Sequence, residues 1–150
     1  MNFDIPKPLQ IEHEALHAML VDATREAGVV GEAAREVARV LHPHFVREEE
    51  FALPPLALFS RLASNGPSAG MKEALAMTRR LKAELPAMLA EHGQILEALQ
   101  KLEDAARAAG LPKYEEFAAA LKLHAQTEEQ VLYPAAILVG DYLELALPRA

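Results

Sequence analysis

Two residue pairs of one kind recur eighty positions apart, His44 with Glu48 and His124 with Glu128. A spacing of four puts both side chains on one face of a helix, one turn apart along its axis. An imidazole and a carboxylate so placed can ligate a metal ion, relay a proton or pair with each other. Two further histidines, His13 and His92, stand roughly thirty residues ahead of these pairs, and each follows a glutamate, Glu12 or Glu91. Behind each pair come a second acid, Glu49 or Glu129, and a proline ten residues past the histidine, Pro54 or Pro134. The chain reads as a duplicated two-helix unit, the copies spanning approximately residues 8–63 and 71–140.

Helices must position these residues. Over residues 8–27, Leu9, His13, Leu16, Leu20, Ala23 and Ala27 alternate in steps of four and three, the stripe of an amphipathic helix. Gly28, Val29, Val30 and Gly31 read as a short turn, which makes the next helix an antiparallel neighbour. That helix carries Val37, Leu41, His44, Glu48 and Phe51 inward, and Pro54 with Pro55 ends or kinks it. Residues 56–63 read as a further helical turn or two, and the breaker cluster at residues 65–70 as a loop between the copies. A third helix is expected over residues 71–109, kinked or restarted at Pro86, with Leu85, Met88, His92, Ile95, Leu99, Leu102 and Ala106 inward. Gly110 and Pro112 turn the chain into a fourth, whose stripe is Phe117, Leu121, His124, Glu128 and Val131.

The composition agrees with an all-α fold in a single domain over residues 1–150: 51% hydrophobic but only 5% aromatic. Twenty-two acidic against 15 basic residues give a formal net charge of -7, which repels phosphate backbones and anionic lipid, so nucleic acid and membrane surfaces are not expected partners. With no cysteine, disulfides, thiolate nucleophiles, zinc–thiolate sites and iron–sulfur clusters are excluded. The N-terminus lacks a basic segment followed by an apolar run, and no uncharged apolar stretch approaches ~18 residues. The expectation is a soluble, cytoplasmic protein.

His13, His44, Glu48, His92, His124 and Glu128 occupy positions where a helical bundle needs apolar side chains. A buried, unpartnered carboxylate costs several kcal/mol, against a total stability of roughly 5 to 15 kcal/mol for such a chain. Bound cations compensate it, and four imidazoles with two carboxylates suit iron, manganese or zinc rather than calcium or magnesium. A lone core histidine is more often a hydrogen-bonded packing residue; six such residues in register point to two ions bridged by Glu48 and Glu128. His42 lies round the helix from His44, facing solvent or a helix edge, and Glu49 and Glu129 read as solvated flanks. Glu12 and Glu91 lie beside the stripe, within reach of a ligand histidine.

With these residues in order, the chain resembles the hemerythrin-like, or HHE cation-binding, domains over nearly its whole length. The motifs are Glu12-His13, His44-x-x-x-Glu48-Glu49, Glu91-His92 and His124-x-x-x-Glu128-Glu129. The resemblance implies an antiparallel up-down four-helix bundle holding two metal ions, usually iron with an oxo or hydroxo bridge. It further implies binding or sensing of oxygen, peroxide or nitric oxide, with a protein partner to receive any signal. A binding role is favoured over an enzymatic one. The alternatives are a diiron enzyme or an iron-supplying repair protein for nitrosative or oxidative damage, and a metal-free structural bundle. A ferritin-like site would need Glu-x-x-His twice, whereas only Glu14 and His17 supply it. Oxygen-carrying hemerythrins resemble this chain except that their extra histidine sits one turn after the third-helix ligand, where Leu96 stands here. The extra imidazole here is His17, one turn after His13 and a candidate fifth histidine ligand. In a pair of six-coordinate ions it would leave about one open position instead of about two.

Overall fold

Alanine and leucine dominate long stretches free of β-branched runs, and the chain folds into helices accordingly. In the computed structural model, which describes residues 3–149, no strand occurs among the described residues. Met1, Asn2 and Ala150, the ends of the expected domain, lie outside them. The helices are α1 (Lys7–Thr24), α2 (Gly28–Arg47), α3 (Phe59–Asn65), α4 (Ala74–Ala109), α5 (Pro112–Thr127) and α6 (Tyr133–Ala146). The architecture is consistent with a four-helix bundle, in which α2 packs on α1 and α4, and α4 packs on α5 and α6. No described helix is long and apolar enough to cross a membrane.

Several expected boundaries move. Gly28 and Gly31 open α2 rather than forming the connection, which falls at residues 25–27. Gly31 is constrained by a close approach, since a Cβ there would lie 1.9 Å from the Glu26 carbonyl oxygen. Pro86 neither ends nor restarts its helix: α4 runs 36 residues through it, about 54 Å. Residues 69–73 form a short 3-10 turn ahead of α4, so the third helix starts later than residue 71.

The departure that matters for the site is a pair of π-turns. Glu48–Ala52 extends α2, and Glu128–Leu132 joins α5 to α6. Each is closed by a bond from the backbone N–H five residues on, Leu53 to the Glu48 carbonyl and Tyr133 to the Glu128 carbonyl. Pro54 and Pro134 explain why: neither can donate to the carbonyl four residues back, and each ring crowds that carbonyl. The extra residue in each turn advances the register, so Leu53 and Tyr133 swing inward. Val131, expected inward, is 55% exposed, whereas Phe51 at the corresponding position of the other π-turn stays buried.

The apolar core lies on both sides of the polar residues. One cluster gathers Leu16, Leu20, Leu41, Ile95, Leu99 and Phe117, and a second gathers Phe51, Leu53, Leu56, Leu81, Met88 and Tyr133. On α4, His92 falls between Met88 of the second and Ile95 of the first. The six polar side chains form a layer sandwiched between them, and all are buried.

Candidate metal centre

His13 comes from α1, His44 from α2, His92 from α4 and His124 from α5, while Glu48 and Glu128 open the two π-turns. Their donor atoms form two groups, each within 4.8 Å: His13, Glu48, His124 and Glu128, and His44, Glu48, His92 and Glu128. Both carboxylates belong to both groups, and each divides its oxygens between them. Glu48 Oε1 contacts His44 Nε2 and lies 3.9 Å from His92 Nε2, while its Oε2 lies 3.4 Å from His13 Nε2. Glu128 Oε1 lies 3.3 Å from His92 Nε2, and its Oε2 lies 3.2 Å from His124 Nε2.

The outer ring nitrogens explain why the inner ones point as they do. Each Nδ1 faces a carboxylate on another helix: His13 faces Glu49 at 3.3 Å, His44 faces Glu91 at 3.5 Å, His92 faces Glu129 at 2.9 Å, and His124 faces Glu12. An ionised carboxylate can only accept, so each Nδ1 carries the proton and each Nε2 is turned to the centre. Glu49 and Glu129 are thus partners of ligand-type histidines, half in solvent but not mere flanks. Arg47 in turn holds Glu91 and Glu84. The sequence signal for all four was adjacency: each outer acid directly precedes or follows one of the six inner residues.

Two features make this cluster a candidate cation site. Inside, Nε2 atoms meet in pairs, His13 with His124 at 3.2 Å and His44 with His92 at 2.9 Å. Neutral rings would oppose their lone pairs at those distances. Glu48 Oε2 and Glu128 Oε2 are fully buried and accept no well-aligned hydrogen bond, although His13 Nε2 and His124 Nε2 stand 3.4 and 3.2 Å from them; a buried acceptor left so ordinarily costs about 1–3 kcal/mol.

Without an ion, protons fill part of this deficit. Burial alone would lower the His92 imidazole, but hydrogen bonds to Glu128 and Glu48 override it and hold it at about 10. His124 is held at about 9 against the same burial by Glu128 and Glu12, and His13 is raised by Glu48. Burial also pushes up Glu48, yet hydrogen bonds with Glu128 and the imidazoles leave it well below the usual carboxylate range. Glu128 goes the other way, raised by burial and by the charge of Glu48. The pair thus divides the charge unequally.

One residue of the centre was not anticipated. The Tyr133 hydroxyl donates to Glu48 Oε1 at 3.0 Å and lies 3.2 Å from both His44 Nε2 and His92 Nε2. A regular helix would have pointed it elsewhere, so only Pro134 and the π-turn it imposes could have signalled it. Phe45 stacks on His13 with ring centroids 4.0 Å apart.

The hemerythrin HHE cation-binding domain model matches residues 7–136, from the start of α1 to early α6. The chain belongs to that family. No curated protein and no solved structure matches it. The family and the buried His and Glu cluster together suggest cation binding, with this layer as the candidate site. His17 stands apart from both donor groups. It is exposed on the wall of a cleft of about 740 Å³ that reaches His13, Glu14, His42, Phe45 and Glu49.

Proposed function

We propose that this HHE domain is a non-haem diiron protein that binds or senses oxygen, peroxide or nitric oxide. The observation that carries it is the division of Glu48 and Glu128, whose two oxygens each face different histidine pairs while Oε2 of both is buried without a well-aligned hydrogen bond. His13 and His124 would hold one ion, His44 and His92 the other, and the two carboxylates would bridge them. Bound iron would supply a redox-active pair able to take a small ligand. The outer carboxylates fix the tautomer and strengthen each imidazole as a donor. The apolar clusters on either side exclude bulk water, and the cleft beside His13 gives a small diatomic its approach.

The repetition of the centre at an offset of eighty, with a π-turn in each half, supports a duplicated two-helix unit in an antiparallel up-down bundle. His17 fits a place at the mouth of the site, where it would meet an entering ligand. Anaerobic reconstitution with ferrous iron, followed by optical spectra with oxygen, peroxide and nitric oxide, tests the reading. Two equivalents of iron and a distinct adduct spectrum with at least one of the three are expected. Less than about one equivalent of any transition metal, with thermal stability unchanged by ferrous iron, would favour a structural bundle instead.

A further inference from the structure

We propose that the phenol oxygen of Tyr133 is a direct donor to the ion held by His44 and His92, which makes the two metal positions chemically unlike. The inference rests on the dimetal reading above and concerns one residue of this chain. Its first support is geometric. Tyr133 Oη, His44 Nε2 and His92 Nε2 form a nearly equilateral triangle with sides of 3.2, 3.2 and 2.9 Å, and Tyr133 Oη lies 3.0 Å from Glu48 Oε1. Bonds of about 2.1 Å to a six-coordinate ion set adjacent donors about 3.0 Å apart, so these three atoms outline one face of an octahedron.

The second support is a count of protons. A phenol has one proton to donate, yet three acceptors surround it. Its hydrogen bond to Glu48 leaves the contacts to His44 and His92 as oxygen lone pairs beside nitrogen lone pairs unless a cation or added protons intervene. An ion bonded to all three relieves every one of these contacts. As the oxygen–metal bond forms, the phenol proton leaves to solvent, as for any ligand that binds as an anion.

The third support is the asymmetry of the repeat. Leu53 stands eighty residues before Tyr133, on the other π-turn, and is equally buried, but it offers no donor. No hydroxyl therefore joins His13 and His124 among the described contacts. An anionic oxygen stabilises the higher charge on its ion, so the His44 and His92 position becomes the one that favours ferric iron. The cleft reaches His13 and neither His44 nor His92, so a small ligand would approach from the side of the His13 and His124 pair.

The test uses the full chain, reconstituted anaerobically with ferrous iron and oxidised by ferricyanide, which takes one electron from each iron. Iron content is read first, then visible absorption and resonance Raman spectra. The wild type is expected to show a phenolate-to-iron charge-transfer band with phenolate ring modes, and Tyr133→Phe to lose both while retaining two equivalents of iron. The chain has three tyrosines, so Tyr114→Phe and Tyr142→Phe must both keep the signature, and they assign it by elimination even if Tyr133→Phe does not fold. Two equivalents of iron without phenolate modes would overturn the proposal and leave the dimetal reading standing. Modes that persist in folded Tyr133→Phe would also overturn it. Iron below one equivalent in the wild type would overturn both.

Discussion

Removing one outer carboxylate should weaken one ion and spare the other. In Glu129→Ala the lost partner is that of His92 Nδ1, at 2.9 Å, and His92 belongs only to the group with His44. Loss of such a partner typically costs 10–100-fold in metal affinity, because the ring loses its fixed tautomer and some basicity. Glu129 is 39% exposed, so water can replace the acceptor, which puts the expected loss near the lower end, about tenfold. Glu49→Ala acts on His13 and should weaken the other ion by a similar factor. Glu128→Ala removes an oxygen from both groups, and more than ~100-fold loss is expected at each. A chelator competition titration with cobalt, read by its ligand-field bands, resolves the two ions. If Glu49→Ala and Glu129→Ala depress the same ion, or if either matches Glu128→Ala, the assignment of oxygens to histidine pairs is wrong.

The pH dependence of the metal-free protein follows from the raised histidines. For His92, at about 10, and His124, at about 9, against an ordinary 6.5, the stabilisation is fully present below 6.5 and is lost as the pH rises through about 9 and then 10. Thermal melts of metal-free protein should therefore fall between pH 7 and 10; a flat profile would contradict the pairing with Glu128. Metal has to displace these protons, so its affinity should already drop from pH 8 to pH 7 with measurable proton release, above the window at ~6.5 that free histidines would set. Isothermal titration in buffers of different ionisation enthalpy would refute this by finding no proton release. His17→Leu should keep both metals but alter the adduct spectrum or its lifetime, through the cleft wall beside His13; identical spectra would reduce His17 to a surface residue. Finally, Phe51→Ala should destabilise the fold by roughly 3–5 kcal/mol, whereas Val131→Lys, at the corresponding position, should stay within about 0.5 kcal/mol. Equal losses in urea melts would contradict the different burial of these two equivalent positions.

The burial of the polar layer was legible because its signals are periodic. His92 stands in step with Met88, Ile95 and Leu99, and His44 with Leu41 and Phe51, so burial of each followed from helical spacing alone. What spacing could not carry was the departure from that period. Helical spacing puts Val131 inward and Tyr133 off the stripe because it continues a regular helix through Glu128, where the proline at 134 forces an extra residue into the turn. Pairing across helices was equally hidden: Glu49 and Glu129 sit off the inward stripe of their own helices, and only packing against α1 and α4 brings them to His13 and His92. At Gly31 the limit was different, since a glycine required by the nearby Glu26 carbonyl looks in sequence like one required by a turn.

The central claim is that one chain holds two ions between shared carboxylates. Iron-edge X-ray absorption on reconstituted protein, with the iron content of the same sample, tests it most directly. The account predicts two irons per chain, nitrogen and oxygen donors including imidazole, and an iron–iron distance under about 4 Å. A single iron per chain, or two with no iron–iron scattering, would contradict it.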